Sequence, residues 1–490
     1  MSKKVLIAGA GIGGLATALR LAKKGFEVEI VEKNNQAGGR LNQIKKDGFT
    51  FDTGPSFFSM SYEFEAFAKE CGIELPFKYY SLDPLYSVNF IDNPKTFFLY
   101  KDIDKLSAQF EDIEPGFKQK MEKYLEKSGR LFHDTVDLVI KNNFDSYFAY
   151  IITLMRVNPV HIPVLFRSFW QQVNLHFDSK EARQIISLVA FFLGRTPFDT
   201  MAIYTLLSYT EFKHDGYFNV EGGMYKIVEG FVAELEKAKI KISYNTEITG
   251  FLGSSGKLEA LVDKSGKAWK ADAFLINADA AVFRNSVLKR EKFSDEKMAR
   301  MNWTMGYLTF YIGIKCKLPQ VNHHNYFLGS NYEEYSNNIL QNPGTPEKPY
   351  YYVNVLSKHN LQCAPEGCES LFFVCPVPNL LHKTNWSDRD SIVTSIIADF
   401  SKRIGKDIEP EIVSKTVYTP EDWQHQFNLY KGSGLGLSHN MRQIGAFRPS
   451  NFDEQFKNVF YVGASTLPGA GLPMAIISSK LAAERISKLK

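Results

Sequence analysis

Four glycine-bearing stretches hold the residues of this sequence whose types and spacing could do chemistry. Gly9-Ala10-Gly11-Ile12-Gly13-Gly14 is followed by Glu32, about 18 residues beyond Gly14. Between a strand and a helix, Gly9 permits the tight turn, Gly11 lets backbone approach a pyrophosphate, and Gly14 lets helix and strand pack closely. Free N–H groups at the helix start receive the negative charge. An acid about 20 residues on hydrogen-bonds a ribose hydroxyl. The same acid repels a 2′-phosphate, so the expected ligand is an adenine dinucleotide with an unphosphorylated ribose, FAD or NAD. Gly38-Gly39-Arg40 is either a turn whose arginine forks onto a phosphate or a loop with a solvated arginine. Asp52-Thr53-Gly54-Pro55 is a sharp turn that either brings backbone against a flat ring or simply connects two elements. Residues 459–475 read as a strand ending at Gly463, then a loop with Pro468, Gly469, Gly471 and Pro473, then a helix starting near Met474. Pro473 suits the first turn of that helix, whose free N–H groups would face a carbonyl or a negative charge.

Little else offers chemistry. His323 and His324 are adjacent and on a strand would point to opposite faces, a poor metal pair, so no metal site is expected. No Ser/His/Asp or Cys/His constellation is supported, and no catalytic side chain follows from the sequence. The formal net charge is +4 without a long basic block, which gives no support for a nucleic-acid partner. The five cysteines form no CxxC and read as reduced, mostly buried thiols of a cytoplasmic protein, with a Cys363–Cys368 pair unsupported. The first strand begins almost at once, leaving no room for a signal peptide, so the Asn302 and Asn385 sequons read as coincidences.

The elements that must position these stretches follow from pattern. An apolar run at residues 5–8 suits a buried parallel strand. Leu15, Ala18, Leu19 and Ala22 line one face of a helix that Gly25 ends, and residues 26–31 read as a second buried strand. Residues 240–251 and 273–279 read as further strands of that sheet, with a hairpin around Ser265-Gly266 between them. Residues 76–100 alternate as β, 102–140 as helix, and 308–314 and 371–377 are strong strands. Residues 343–349 read as a loop and 387–404 as an amphipathic helix. Residues 144–170 are heavily apolar and aromatic, interrupted by Arg156, Asn158, Pro159, His161 and Pro163, and no uninterrupted run approaches the roughly 20 residues of a membrane span. They are either two buried helices joined at Asn158-Pro159 or a patch that dips into a bilayer, with Tyr147, Tyr150 and Trp170 near the interface. At 490 residues, two or three domains are expected.

GAGIGG with Glu32, then GGR, then DTGP, together with the C-terminal glycine loop, resembles the signature of the flavin-binding amine-oxidase-like superfamily. In order and spacing it is most similar to the phytoene-desaturase-type carotenoid oxidoreductases. The resemblance implies FAD. It puts the adenosine and diphosphate end on Gly9, Gly11, Gly14 and Glu32, with Gly39 and Arg40 at the diphosphate. It puts Gly54, Pro55 and Ser56 near the flavin, Ile248 on the adenine through its backbone, and Asn277 at the end of a cofactor-domain strand. Gly463, Gly469, Gly471, Leu472, Pro473 and Met474 complete the site. Departures are Phe460 for a tyrosine, Ser465 for a glycine, Met474-Ala475 for a glycine-valine pair, and Val220 for a proline, the last a hint of a different substrate.

The implied fold is α/β, with a discontinuous Rossmann-like FAD-binding domain (1–75, 215–285 and 430–490). To it are added a mixed β substrate domain (76–100 and 286–429) and a helical, membrane-facing region (101–214). The implied activity is FAD-dependent desaturation of a carotenoid by hydride transfer to flavin, leaning to a 3,4 double bond in a 1-hydroxylated carotenoid, with phytoene desaturase as the sibling. A flavin amine oxidase and a non-catalytic prenyl-chain carrier of the same fold are the readings from other classes. The implied partners are a hydrophobic carotenoid, a membrane surface on which the protein sits peripherally, and oxygen or a quinone as electron acceptor.

Overall fold

Five short apolar strands form one parallel sheet, in the order Val459–Tyr461, Ala273–Ile276, Lys4–Ala8, Glu27–Val31, Lys241–Ser243. The computed structural model describes residues 2–254, 256–341 and 350–489, so the loop expected at 343–349 lies outside the described residues. The central strand Lys4–Ala8 and its neighbour Ala273–Ile276 are buried on both faces, which is why they read as apolar runs. The first helix (Ile12–Lys23) and the last (Leu472–Ser487) pack together on one side. The buried Arg20 of the first reaches the Ser479 hydroxyl and the Ile476 carbonyl of the last. All five strands come from the segments assigned to the cofactor domain.

A second, seven-stranded sheet runs Ile412–Tyr418, Gly306–Ile314, Glu369–Val377, Tyr351–Val355, His324–Leu328, Tyr86–Phe90, Asn93–Leu99. Its pairs are antiparallel except that His324–Leu328 lies parallel to Tyr86–Phe90. The helix Arg389–Ile404 covers its outer face through Val393, Ile396, Ile397 and Phe400. The inner face carries tyrosines and phenylalanines and closes over a cavity that the parallel sheet shares.

Three expectations need correction. The stretch 240–251 is two strands: Lys241–Ser243 joins the parallel sheet, while Ile248–Ser254 pairs with Lys257–Asp263 in a separate three-stranded sheet. The break is at Asn245, whose backbone takes a left-handed conformation (φ 53°). Tyr79–Ser81, expected with the substrate domain, instead pairs with Phe218–Val220. Third, residues 144–170 are not two buried helices. Tyr147–Leu154 and Pro159–Leu165 meet at a 99° bend, and Phe148 (74%), Met155 (79%) and Phe166 (79%) stand in solvent. No single helix among the described residues is long and apolar enough to cross a membrane.

Candidate functional site

The glycine loop is shaped by what lies beneath it. Gly9 has φ 108° and its N–H donates to the Val31 carbonyl (2.8 Å), which turns the chain off the first strand. The Asn277 side chain donates to the Gly9 carbonyl (3.2 Å) and fills the space under the loop. A Cβ on Gly11, Gly13 or Gly14 would stand 2.7, 2.9 or 3.0 Å from that asparagine, and one on Gly14 only 2.5 Å from the Gly9 carbonyl. The first helix is capped at Gly11 with no side chain on its N–H groups, so these are left for an anion. Glu32 is held by two backbone donors, Ala10 N–H (2.7 Å) and Asn34 N–H (2.9 Å), and faces the same space. Burial raises its carboxyl above the usual range and those two N–H groups pull it back.

The second glycine turn docks on the first: Gly38 N–H donates to the Ala10 carbonyl (2.8 Å). This places Arg40 inside the protein. Its guanidinium donates to the Gly434 carbonyl (2.9 Å) and, among the described residues, has no salt bridge. Burial lowers its pKa, with the Asp279 carboxylate the largest opposing influence. A half-buried cation that lines a cavity and makes no salt bridge among the described residues calls for an anionic ligand. Asp52 closes the turn before Gly54 by accepting N–H groups from Met224 (2.7 Å) and Tyr225 (3.2 Å), and burial pushes its carboxyl up to about 6. Ser56, after the turn, is 2.8 Å from the Tyr352 hydroxyl.

The C-terminal loop forms the opposite wall. Gly471 (φ 133°) caps the last helix, again with no side chain on its N–H groups, and Pro473 occupies its first turn. Ser465, the departure at a glycine position, donates to Asp279 (2.5 Å). Two residues that pattern reading missed hold this loop. His439 Nε2 accepts the Ala470 N–H (3.1 Å), and Arg448 donates to five carbonyls, those of Leu437, Ser438, Gln443, Ala464 and Thr466. No motif signals either; each looks like an ordinary polar residue of a loop.

Fifteen of the seventeen expected cofactor residues line one continuous cavity of about 1810 Å³: all except Gly14 and Gly469. Those two act from behind the wall. Gly14 lets the helix meet the strand, and a Cβ at Gly469 would stand 2.3 Å from His439 Nε2. Val220 also stands off the cavity, buried among the core of the parallel sheet, so it carries no preference for a substrate.

Beyond Ser56 the cavity becomes aromatic. Phe57 stacks on His324 (4.0 Å between ring centroids) and touches Tyr217 (4.7 Å) and Tyr352 (5.3 Å). Into this wall projects one carboxyl, Glu211, from a π-helical turn (Thr210–His214), a geometry frequent at functional sites. It accepts the Tyr86 hydroxyl (2.5 Å), and burial pushes it up to about 8. From there the cavity runs out between the two exposed apolar helices, whose Ile151, Leu154, Met155 and Ile162 line it. Of the expected interfacial aromatics only Tyr147 is exposed (62%). Tyr150 is buried against Phe144 and Phe447, and Trp170 packs on Phe198 and Tyr332.

Residues 12–487 match the family described as flavin containing amine oxidoreductase. The chain is 31% identical to a phytoene desaturase of Fusarium fujikuroi over 100% of this chain and 90% of that one. It is 29% identical to a carotenoid 3,4-desaturase of Haloarcula japonica over 98% and 97%. Among solved structures, putrescine oxidase bound to putrescine superimposes with a TM-score of 0.65 at 14% identity, over 100% of this chain and 99% of that one.

Proposed function

From the premise that this chain belongs to the flavin-containing amine oxidoreductase family and is a FAD-dependent carotenoid desaturase of its phytoene-desaturase type, we propose that it forms the 3,4 double bond of a 1-hydroxylated carotenoid. When bound, FAD supplies the two-electron acceptor for a hydride from an allylic carbon. Gly11, Glu32, Arg40 and the N-terminus of the last helix would hold it, and their uncapped N–H groups and unpaired guanidinium suit a diphosphate and a flavin ring. The aromatic wall excludes water and aligns the polyene.

Glu211 carries the choice of end group. A pure hydrocarbon end would leave a buried carboxyl facing apolar carbon, which costs free energy. A 1-hydroxyl gives it a partner, and C1 lies two bonds from C3, so the anchored hydroxyl and the reacting carbons belong to one end of the cavity. With a pKa of about 8 the carboxyl is protonated at neutral pH, and its Tyr86 partner already donates to it. Its own O–H is therefore available to the substrate oxygen. The test is pigment formation in cells making phytoene, lycopene or 1-hydroxylated carotenoids. Conversion of the hydroxylated pigment alone is expected; conversion of phytoene in its place would overturn the end-group reading.

The protein is further proposed to sit peripherally on the cytoplasmic face of a membrane and to hand electrons to oxygen or a quinone. Five free thiols support a reducing compartment. The exposed apolar helices at the cavity mouth support a bilayer as the source of substrate. Changing Phe148, Met155 and Phe166 together to serine should weaken binding to anionic liposomes at least about tenfold, as measured by flotation. Changing Trp170 alone should not. Equal binding by the triple variant would remove the membrane from the proposal.

A further inference from the structure

Desaturation removes two hydrogens, and the family chemistry accounts for one. The hydride leaves with both electrons of its C–H bond. The second hydrogen leaves the neighbouring carbon as a proton, its C–H electrons becoming the π bond, and some group must take it. Glu211 is protonated and serves poorly. A different group is in place.

We propose that Ser56, Tyr352 and His324 form a proton-accepting chain that opens on the cavity beside the flavin-facing turn. Ser56 and Tyr352 both line the cavity, their hydroxyl oxygens 2.8 Å apart. The Tyr352 hydroxyl is 2.5 Å from His324 Nδ1. The Asn354 side-chain amide points its Nδ2 at the same Nδ1 (3.3 Å). Two donors converging on Nδ1 make it the unprotonated nitrogen, so the ring proton sits on Nε2, which is buried and has no partner among the described residues. The ring is clamped against Phe57 at 4.0 Å. His324 is thus a fully buried neutral base whose lone pair is directed through Tyr352 and Ser56 towards the substrate.

The transfer is balanced. Ser56 Oγ takes the proton from carbon as its own proton passes to Tyr352 and that of Tyr352 to His324 Nδ1, leaving an imidazolium. Burial disfavours that cation, so the proton is held only briefly. It returns over the same chain when oxygen or a quinone takes the hydride equivalent, and the sum is two hydrogens moved from substrate to acceptor. Ser56, which meets the reacting carbon, is the catalytic residue here; Tyr352 and His324 act through it and are positioning residues.

This inference rests on the desaturase reading but not on the identity of the end group. Anaerobic single-turnover reduction of the bound flavin by substrate tests it. Tyr352→Phe, which keeps the ring, should slow reduction about 100-fold. Ser56→Ala should slow it similarly, both variants should lose the solvent deuterium isotope effect of the wild type, and Tyr352→Phe should bind FAD normally. Reduction within about twofold of wild type by either yellow variant overturns the chain. A second arm needs no turnover. In apo-protein labelled with 15N-histidine, His324 should show an unprotonated Nδ1 that accepts hydrogen bonds, and Tyr352→Phe should remove the bond from the Tyr352 hydroxyl and leave only the weaker one from Asn354. A proton on Nδ1 overturns the proposal whichever substrate the enzyme uses.

Discussion

Replacing Glu211 by leucine is expected to lower kcat/KM for a 1-hydroxylated carotenoid by about 10- to 100-fold, the equivalent of about 1–3 kcal/mol for a buried hydroxyl left without a partner. The same change should improve turnover of a hydrocarbon end group, because the apolar wall then lacks its one acid. Competition between the two pigments, followed by chromatography, reads the ratio directly; a ratio that does not move would detach Glu211 from recognition. Stability gives an independent signature. The folded pKa of about 8 lies above the unfolded value of 4.5. Below pH 4.5 both states are protonated and the acid costs nothing. Between 4.5 and 8 the unfolded chain ionises while the folded one stays protonated, so stability falls with rising pH, by on the order of 3 kcal/mol at pH 7. Glu211→Gln, which keeps an acceptor for Tyr86, removes this dependence. Its gain in Tm over wild type should therefore be near zero at pH 4.5 and grow to pH 8.

Gly14→Ala should produce a colourless protein. The methyl would lie 2.5 Å from the Gly9 carbonyl, a backbone atom that cannot turn away. The helix must then lift off the strand. Overpacking of this kind costs about 1–3 kcal/mol of stability. The larger loss is in binding, since the N–H groups at the helix start and the Asn277 amide beneath them move as one unit. FAD affinity should fall at least about 100-fold, read from the flavin absorbance retained after gel filtration. A yellow Gly14→Ala protein of unchanged affinity would mean that the first glycine loop does not carry the diphosphate.

The parallel sheet and its two glycine loops were legible because each rests on local rules. An apolar run makes a buried strand, and a glycine is required where φ is positive or a Cβ would strike backbone. Glu32 was legible because its spacing from those glycines fixes where it falls, whereas spacing left Arg40 open and only the family resemblance put it at the diphosphate. Pattern failed where the partner is distant. Ile248 lines the cavity but stands in a different sheet from the one expected, since one left-handed asparagine at 245 redirects the chain. Tyr79–Ser81 was given to the substrate domain because alternation says β without saying with what. Tyr150 and Trp170 were read as interfacial from their type alone, yet buried partners claim both. Glu211 looked like any acid on a helix, and Ser56, Tyr352 and His324 lie far apart in sequence and meet only when the large sheet folds over the turn. His439 and Arg448 hold the C-terminal loop entirely through backbone groups, which leave no trace in residue type.

The packing of the first helix against the last sets an order in time. A ribosome adds roughly 5–20 residues per second. The N-terminal glycine loop therefore emerges long before residues 472–487 exist. Until then Arg20 lacks the Ser479 hydroxyl and the Ile476 carbonyl, and the wall built by Gly471 and Pro473 is missing. The nascent chain can begin to shape one half of its cofactor cradle, but FAD can be locked in only after residues 472–487 have been made. Chains that stop short of that final helix should accumulate without colour however much FAD the cell contains.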